Sequence, residues 1–451
     1  MTAAGEAAAP SQGSEIAQQI RLAVPLATQQ LGAQLMGTVD ALMLGRYSDS
    51  AIAAAGIGNN LLFAIMSIGI GIVLGLDSVI PRSLGARRPE DARRYLDAGL
   101  RLAWIVGALG ALAVLALPLV LQLADVEPAV AREARVYVHV RALGMIPFLI
   151  SIAYRSYLAA HNVTRPLVIS VIAGNVANAV LDVILIFGVD AIGLPALGPI
   201  GAALATVAVQ IVICAIYASG ARRLDAGHPR PRSTRADLRE VLGYGGPVGA
   251  QLFAEVSIFG VATVLAAHFG TQSSAGHSIA LNLASFTFSI AVGIGSATSV
   301  RVGHAIGAGD IALARRRCLI GLGLCLALMV VFAVAFVGLP RLIASAFTAD
   351  AGVIAAAVPL LQIAALFQLS DGMQAIASGA LRGIGQTRVT LTGNLLGHYV
   401  VGLPISLGLS FGAGLGAPGL WWGLSAGLTV TGGYLLLRFL AATKTPTRSP
   451  R

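Results

Sequence analysis

Residues 71–94, GIVLGLDSVIPRSLGARRPEDARR, are repeated 222 positions later in residues 293–316, GIGSATSVRVGHAIGAGDIALARR. Identical residues recur at this one offset: Gly71-Ile72 with Gly293-Ile294, Gly85-Ala86 with Gly307-Ala308, and Ala92-Arg93-Arg94 with Ala314-Arg315-Arg316. The same offset joins Pro25 to Pro247, Gln29 to Gln251, Asn60 to Asn282 and Pro118 to Pro340. Thr164-Arg165 is repeated at Thr387-Arg388 after one insertion. The pattern predicts two homologous halves in the same orientation.

The composition places both halves in a membrane. Mean hydropathy is +0.82 and only 11% of residues are charged, whereas soluble domains carry about 25%. The apolar runs reach the ~20 residues that a spanning helix needs. Since apolar alternation of period two is absent, an outer-membrane barrel is disfavoured. We predict twelve helices, at roughly 18–44, 52–80, 98–121, 136–159, 165–188, 199–219, 242–268, 274–300, 318–339, 352–380, 389–411 and 418–440.

The repeat divides these helices into two bundles of six. The predicted order is a disordered tail 1–17, an N-lobe 18–219, a cytoplasmic linker 220–240, a C-lobe 241–440 and a tail 441–451. Because six is an even number, both halves enter the membrane from the same side. The expected fold is therefore all-α and polytopic, with a pseudo-two-fold axis along the membrane normal.

The net charge of +10 reflects topology and does not predict nucleic-acid binding. The arginines concentrate in alternate connections, at Arg82, Arg87, Arg88, Arg93 and Arg94, at Arg222, Arg223, Arg230, Arg232, Arg235 and Arg239, and at Arg301, Arg315, Arg316 and Arg317. Positively charged connections stay in the cytoplasm. We therefore expect a multi-pass protein of the cell inner (plasma) membrane, embedded in the lipid bilayer, with both termini cytoplasmic.

Common enzyme signatures are missing from the sequence. Cys214, Cys318 and Cys325 fall within predicted helices and fit small apolar positions. No H-E-x-x-H motif, paired-cysteine spacing or P-loop occurs. A membrane enzyme would also need a nucleophile–base pair, and none is evident. We expect no cofactor and no direct use of ATP.

Acidic residues inside spans are costly and are functional candidates by default. Asp40 lies in helix 1, and Asn175, Asn178 and Asp182 share one face of helix 5. Thr206 of helix 6 can add a hydroxyl. This set fits a wet cavity, or a structural polar cluster that ties helix 5 to helix 1.

The second half carries its own acids. Glu255 lies near the middle of helix 7 with Gln251 one turn earlier, and Asp371 of helix 10 is flanked by Gln368 and Gln374. The sequence offers no arginine or lysine at matching depth. These carboxylates should therefore take protons or coordinate a cation such as Na⁺.

Other polar and aromatic residues in the spans have simpler explanations. Asp77, near the arginines after helix 2, can be an ion-pair anchor or a transport residue. His277 fits a structural role better than a proton relay. Trp421 and Trp422 open helix 12 where aromatic residues anchor helices at the membrane interface.

Taken together, these residues resemble the multidrug and toxic compound extrusion (MATE) family, in its NorM-like branch. The likeness covers nearly the whole chain and depends on several motifs: Pro25, Met36 through Gly45, Asn175 through Gly188, Phe253-Ala254-Glu255-Val256, Ala275-Gly276-His277, Ala280-Leu281-Asn282, Arg301 through Gly307, and Asp371 with Leu381-Arg382-Gly383. The resemblance implies two six-helix lobes around a V-shaped cavity, and export of small-molecule organic cations in exchange for Na⁺ or H⁺. We expect a monomer.

The resemblance also implies where the cations bind. The N-lobe pocket is expected at Asp40, Asn178, Asp182 and Thr206, and the C-lobe site, which can hold Na⁺, at Glu255 and Asp371. Asn175, Gln251 and Asn282 are further candidates. Because both lobes carry acids, the lobe that couples the ion stays open. Phe367 stands where some members have tyrosine, so the identity of the coupling ion stays open as well, and the sequence does not name the drugs.

Two alternatives stay open, and only the second belongs to a different functional class. A lipid-linked precursor flippase of the same superfamily would need cationic residues to meet phosphates, and the sequence shows only Arg141 at depth. A polytopic membrane enzyme is the second alternative, and it lacks the catalytic set described above.

Overall fold

The computed structural model describes residues 12–116, 127–229 and 231–444. Twelve long helices account for most of this part of the chain: α1 Gln12–Tyr47, α2 Asp49–Gly85, α3 Pro89–Val114, α4 Pro128–Ala142 continued by Met145–Ala160, α5 Arg165–Phe187, α6 Pro199–Leu224, α7 Arg235–His268, α8 Thr271–Gly307, α9 Ile311–Gly338, α10 Ala351–Gly383, α11 Thr387–Gly412 and α12 Ala417–Ala442. Two short helices, Asp190–Ile192 and Pro340–Ser345, lie in the connections.

Most of these helices are long and apolar enough to cross a membrane. Ten of the described helices qualify, and α4 makes eleven if its two segments, bent by 45°, form one span. α1 is the twelfth helix and is 36 residues long, or about 54 Å at 1.5 Å per residue. Its middle is more polar, since it carries Gln29, Gln34 and Asp40.

The two lobes, α1–α6 (N-lobe) and α7–α12 (C-lobe), meet through equivalent contacts. A Cβ on Gly71 of α2 would fall on the backbone of Gly249 in α7, and a Cβ on Gly293 of α8 would fall on that of Ala27 in α1. Gly293 is the repeat partner of Gly71, and Gly249 is the repeat partner of Ala27. One contact is therefore made twice, as a pseudo-two-fold axis requires.

A second pair of contacts obeys the same symmetry. A Cβ on Gly85 would clash with the carbonyl of His304, and a Cβ on Gly307 would clash with the carbonyl of Arg82. The offset of 222 relates both glycines and both carbonyls. The repeated glycines are thus the positions at which helix backbones touch between lobes, which small residues permit in membranes. The predicted fold of two bundles about one axis is confirmed.

The structure corrects the bounds of the predicted N-terminal tail. Residues 12–17 are helical rather than disordered, and Glu15 is fully buried. Arginines of the C-lobe hold this carboxylate, so a tertiary contact extends the helix where the sequence has no apolar pattern. Residues 1–11 and 445–451 of the predicted tails, and residues 117–121 of the third predicted helix, lie outside the described residues.

The connection between lobes is shorter than the sequence suggested. α6 runs to Leu224 and α7 begins at Arg235, so helices occupy both ends of the predicted linker 220–240. Thr234 and Asp237 form a capping box that starts α7, a pattern in which two side chains satisfy free backbone amides.

Candidate functional site

The N-lobe candidates come together between α1, α5 and α6. The hydroxyl of Thr206 lies 3.1 Å from Oδ2 of Asp40, and the side chain of Asp182 lies against Asp40. Asn178 is one turn before Asp182 on the same face of α5, and both are completely buried. Gly32 permits this arrangement, because a Cβ there would meet Val171 and the amide of Asn175 across the α1–α5 contact.

Many polar atoms in this pocket have no hydrogen-bond partner among the described residues. They are Oδ1 of Asp40, Oδ1 of Asn175, both amide atoms of Asn178 and both carboxylate oxygens of Asp182. A structural tie between helices explains the Thr206–Asp40 contact, but it leaves these atoms unpaired. Unpaired buried polar groups are costly, so the pocket has the chemistry to receive a proton, a cation or water.

The C-lobe candidates converge on Glu255 of α7. Nε2 of Gln374 in α10 donates to Oε1 of Glu255 at 3.2 Å, and Nδ2 of Asn394 in α11 lies 3.4 Å from Oε2. The side chain of Gln251 also contacts this carboxylate, and Asp371 acts on it electrostatically. Both acids are buried. Three helices of the C-lobe therefore hold one carboxylate beside a second.

The amides beside Glu255, and Gln368 one turn before Asp371 in α10, present spare oxygen atoms. Within the described part of the chain, Oε1 of Gln251, Gln368 and Gln374 and Oδ1 of Asn394 are buried without a partner. Carboxylate and amide oxygens are ligands that suit hard cations. Among the described residues, no three His, Cys, Asp or Glu side chains are placed so that they could hold a metal ion together, so any bound cation would depend on the two acids and these amides.

Asn394 was not among the residues predicted for the site. It lies at the end of the α-helical part of α11, directly before a π-helical segment, Leu395–Gly402. An asparagine inside a span was an available signal, but its position relative to Glu255 depends on how α7 and α11 pack.

One arginine acts on Glu255 from a distance. Arg382 lies three turns after Asp371 in α10 and exerts a weak electrostatic effect on Glu255, so the absence of an arginine or lysine at the depth of these acids stays a prediction. Asp77 has an arginine nearby, with Oδ2 3.9 Å from Nη2 of Arg155. This geometry favours the ion-pair alternative for Asp77.

His277 and Trp421 form a buried structural pair. Nε1 of Trp421 donates to Nδ1 of His277 at 3.1 Å, and Nε2 of His277 lies 3.2 Å from the hydroxyl of Thr263. Since Nδ1 accepts, the neutral ring carries its hydrogen on Nε2. Trp421 is fully buried, so it does not face the lipid as an interface anchor would, while Trp422 is exposed.

One predicted site residue lies apart from both clusters. Asn282 in α8 is exposed and donates to the carbonyl of Ser278 on its own helix. The remaining candidates form two separate clusters, one in each lobe, rather than a single central site.

Comparisons with known proteins agree with this architecture. The MatE family model matches residues 25–184 and again residues 247–407, so the two matches begin 222 positions apart and end 223 apart. This displacement reproduces the repeat and its single insertion.

Relatives match over nearly the full length. A probable multidrug resistance protein NorM of Deinococcus radiodurans is 39% identical, with 96% of each chain covered. A multidrug resistance protein NorM of Burkholderia vietnamiensis is 33% identical, with 99% of this chain and 98% of the relative covered. The crystal structure of a eukaryotic MATE transporter, AtDTX14, superposes with a TM-score of 0.87 at 19% identity, over 94% of this chain and 95% of that one. Two family matches in tandem, full-length relatives and a shared fold show that the chain belongs to the MATE family, in its NorM-like branch.

Proposed function

We propose that this protein is a secondary-active multidrug efflux antiporter. It exports small-molecule organic cations in exchange for Na⁺ or H⁺, through alternating access of the two lobes. The observation that carries the proposal is the pair of buried acid clusters, one per lobe, each with more acceptor oxygens than donors. The names of the NorM relatives support the multidrug assignment.

The N-lobe pocket is suited to proton exchange. Both oxygens of Asp182 lie unpaired beside Asp40, and a proton on one carboxyl group would let it donate to the other, because ionised carboxylates only accept. Like charges at close range also disfavour ionisation of both Asp40 and Asp182. A proton shared by this pair would be released when an organic cation approaches.

The C-lobe site is suited to a cation. Gln374 and Asn394 direct their amide hydrogens at Glu255, which leaves their oxygens free for a positively charged guest. Asp371 supplies a second negative charge. Na⁺ fits this oxygen-rich set, and a proton on either acid would compete with it.

Competition at the carboxylates couples the two fluxes. A carboxylate cannot strongly favour a small ion and an organic cation together, so arrival of one releases the other. The arginine-rich connections face the cytoplasm in this proposal, and both termini lie there. The protein then acts as a monomer in the cell inner membrane and takes its substrate from the cytoplasm or the inner leaflet.

A flippase for lipid-linked precursors is less well supported. Such a protein needs cations to bind phosphates, whereas both clusters present carboxylates. Arg141, the one arginine expected at depth, is directed at the amide oxygen of Asn59 at 3.4 Å. No second function is proposed.

Export of a fluorescent organic cation from proteoliposomes tests the proposal. An imposed Na⁺ gradient and an imposed pH gradient are compared for wild type, Glu255→Gln, Asp371→Asn and Asp182→Asn. Glu127→Gln, at an exposed acid directly before α4, is the matched control. The C-lobe variants should lose ion-driven export, and Asp182→Asn should lose the pH-driven part. Wild-type export by Glu255→Gln and Asp371→Asn would remove the C-lobe site from the mechanism.

A further inference from the structure

A buried acid near the start of α1 joins the N-lobe to two arginines of the C-lobe. The carboxylate of Glu15 is in contact with Nη2 of Arg301 in α8. Arg317 of α9 adds two bonds to the same carboxylate, from Nε at 2.9 Å and from Nη2 at 3.1 Å. Gln19 extends the contact, since its Nε2 donates to Thr298 at 3.0 Å. We call Glu15, Arg301 and Arg317 the first clasp.

A second acid–arginine contact joins the lobes in the reverse direction. Oδ1 of Asp237, at the start of α7 in the C-lobe, accepts from Nε of Arg94 in α3 at 3.0 Å. Beside it, the hydroxyl of Tyr95 donates to Glu240 at 2.7 Å. We call Asp237 and Arg94 the second clasp.

The offset of 222 relates the two clasps. Asp237 is the repeat partner of Glu15, and Glu240 is that of Gln18, whose oxygen lies 3.3 Å from Arg301. Arg316 is the repeat partner of Arg94, and Arg317 is that of Tyr95. Both Arg316 and Arg317 interact electrostatically with Glu15. The two clasps are therefore equivalent: an acid near the start of α1 binds α9, and an acid near the start of α7 binds α3.

The clasps are unequal in burial. Glu15 is 0% exposed, and the side chains of Arg301 and Arg317 are 5% and 13% exposed. In the second clasp, Arg94 is 35% exposed and Asp237 is 7% exposed. Removing one member of a buried ion pair is costly, whereas a partly exposed pair contributes little. The first clasp should therefore contribute more than the second to holding the two lobes together.

We propose that Glu15 and Asp237 are symmetry-related gating residues that hold the arginine-rich end of the transporter closed. The proposal depends on the alternating access proposed above. Because the axis relates both contacts, a rigid-body movement of the lobes that opens this end must break them together. Water that enters the opened end then solvates the separated charges.

Distances between two spin labels, measured by double electron–electron resonance on the full-length protein in nanodiscs, test the gate. Spin labels are attached at Arg88 and Ala312, exposed positions at the arginine-rich ends of the two lobes, after the three native cysteines are replaced by alanine. Glu15→Gln should raise the ratio of long to short distances about tenfold or more, as loss of a buried pair predicts. Arg94→Gln should raise it about two- to fivefold.

Glu90→Gln is the matched control, because Glu90 is an exposed acid in the first turn of α3 at the same end. It should leave the distances unchanged. If Glu15→Gln does not fold, Arg317→Gln replaces it, because this side chain is less buried and leaves Arg301 with Glu15. Folded variants of both clasps with wild-type distances would overturn the gate. The measurement needs no transported substrate, so failure of the proposed export would not be mistaken for failure of the gate.

Discussion

Replacement of Gly249 by alanine tests whether contact between helix backbones sets the lobe interface. A Cβ at this position would lie 2.6 Å from the carbonyl oxygen of Ile68 in α2, where ordinary contact begins at 3.4 Å. The overlap is therefore 0.8 Å, from 3.4 minus 2.6. A backbone carbonyl within a helix cannot rotate away, so the lobes would have to separate.

The size of the effect follows from two opposed contributions. Overpacking costs about 1–3 kcal/mol, and the rigid neighbour places this site near ~3 kcal/mol. Alanine regains about 1 kcal/mol of helix propensity over glycine. The expected net loss of stability is about 2 kcal/mol.

Gly260 on the same helix supplies the control. It is exposed, and a Cβ there would meet no atom within 4 Å, so Gly260→Ala should gain up to about 1 kcal/mol. Unfolding in detergent micelles is followed for both variants, alongside export of an organic cation. Gly249→Ala should unfold first and transport more slowly. Equal stability of the two variants would refute the view that the backbones touch here.

Three further outcomes are expected. Asn394→Ala should weaken the apparent Na⁺ affinity of export by about tenfold, as the loss of a hydrogen bond to a charged group predicts, with little change in maximal rate. An unchanged Na⁺ dependence would exclude Asn394 from the site. Asp182→Asn should make export insensitive to external pH. Asp190→Asn, in the exposed connection after α5, should leave the pH dependence of export unchanged. Retained pH dependence in Asp182→Asn would remove the N-lobe proton from the mechanism. Trp421→Phe should cost about 1–2 kcal/mol of stability in thermal unfolding, because His277 loses its hydrogen-bond donor. A loss of transport without a loss of stability would contradict a structural role for Trp421.

The fold was predictable because the repeat preserves the residues that backbone contact requires. Gly71 and Gly293 recur at one offset because each must leave room for the opposite lobe, and no other residue type fits. The acids could be predicted for a similar reason, since a carboxylate inside an apolar span stands out without knowledge of the packing.

The clasps could not be predicted from identity between the repeats. Glu15 corresponds to Asp237 and Arg317 to Tyr95, so the equivalent positions keep their place but change residue type. Glu15 also lies before the first apolar run, where the sequence resembles a solvated tail. Its partners are 286 and 302 residues away in sequence, and only the packed structure brings them together.

The place of Asn394 and Trp421 depends on helix rotation. Each is a single polar or amphipathic residue on a long apolar helix, and the sequence does not say which side of that helix meets a neighbour. The neighbours, Glu255 and His277, are on other helices.

The glycine contacts between the lobes have a mechanical consequence. Gly71 with Gly249, and Gly293 with Ala27, bring main chain against main chain, so these points lack the interlocked side chains that resist sliding. Two bundles that touch in this way can pivot about these contacts without any side chain changing its rotamer there. In the proposed gate, the acid–arginine contacts at the arginine-rich end then supply the energy barrier to this movement, and substitutions there should tune its rate without remodelling the helices.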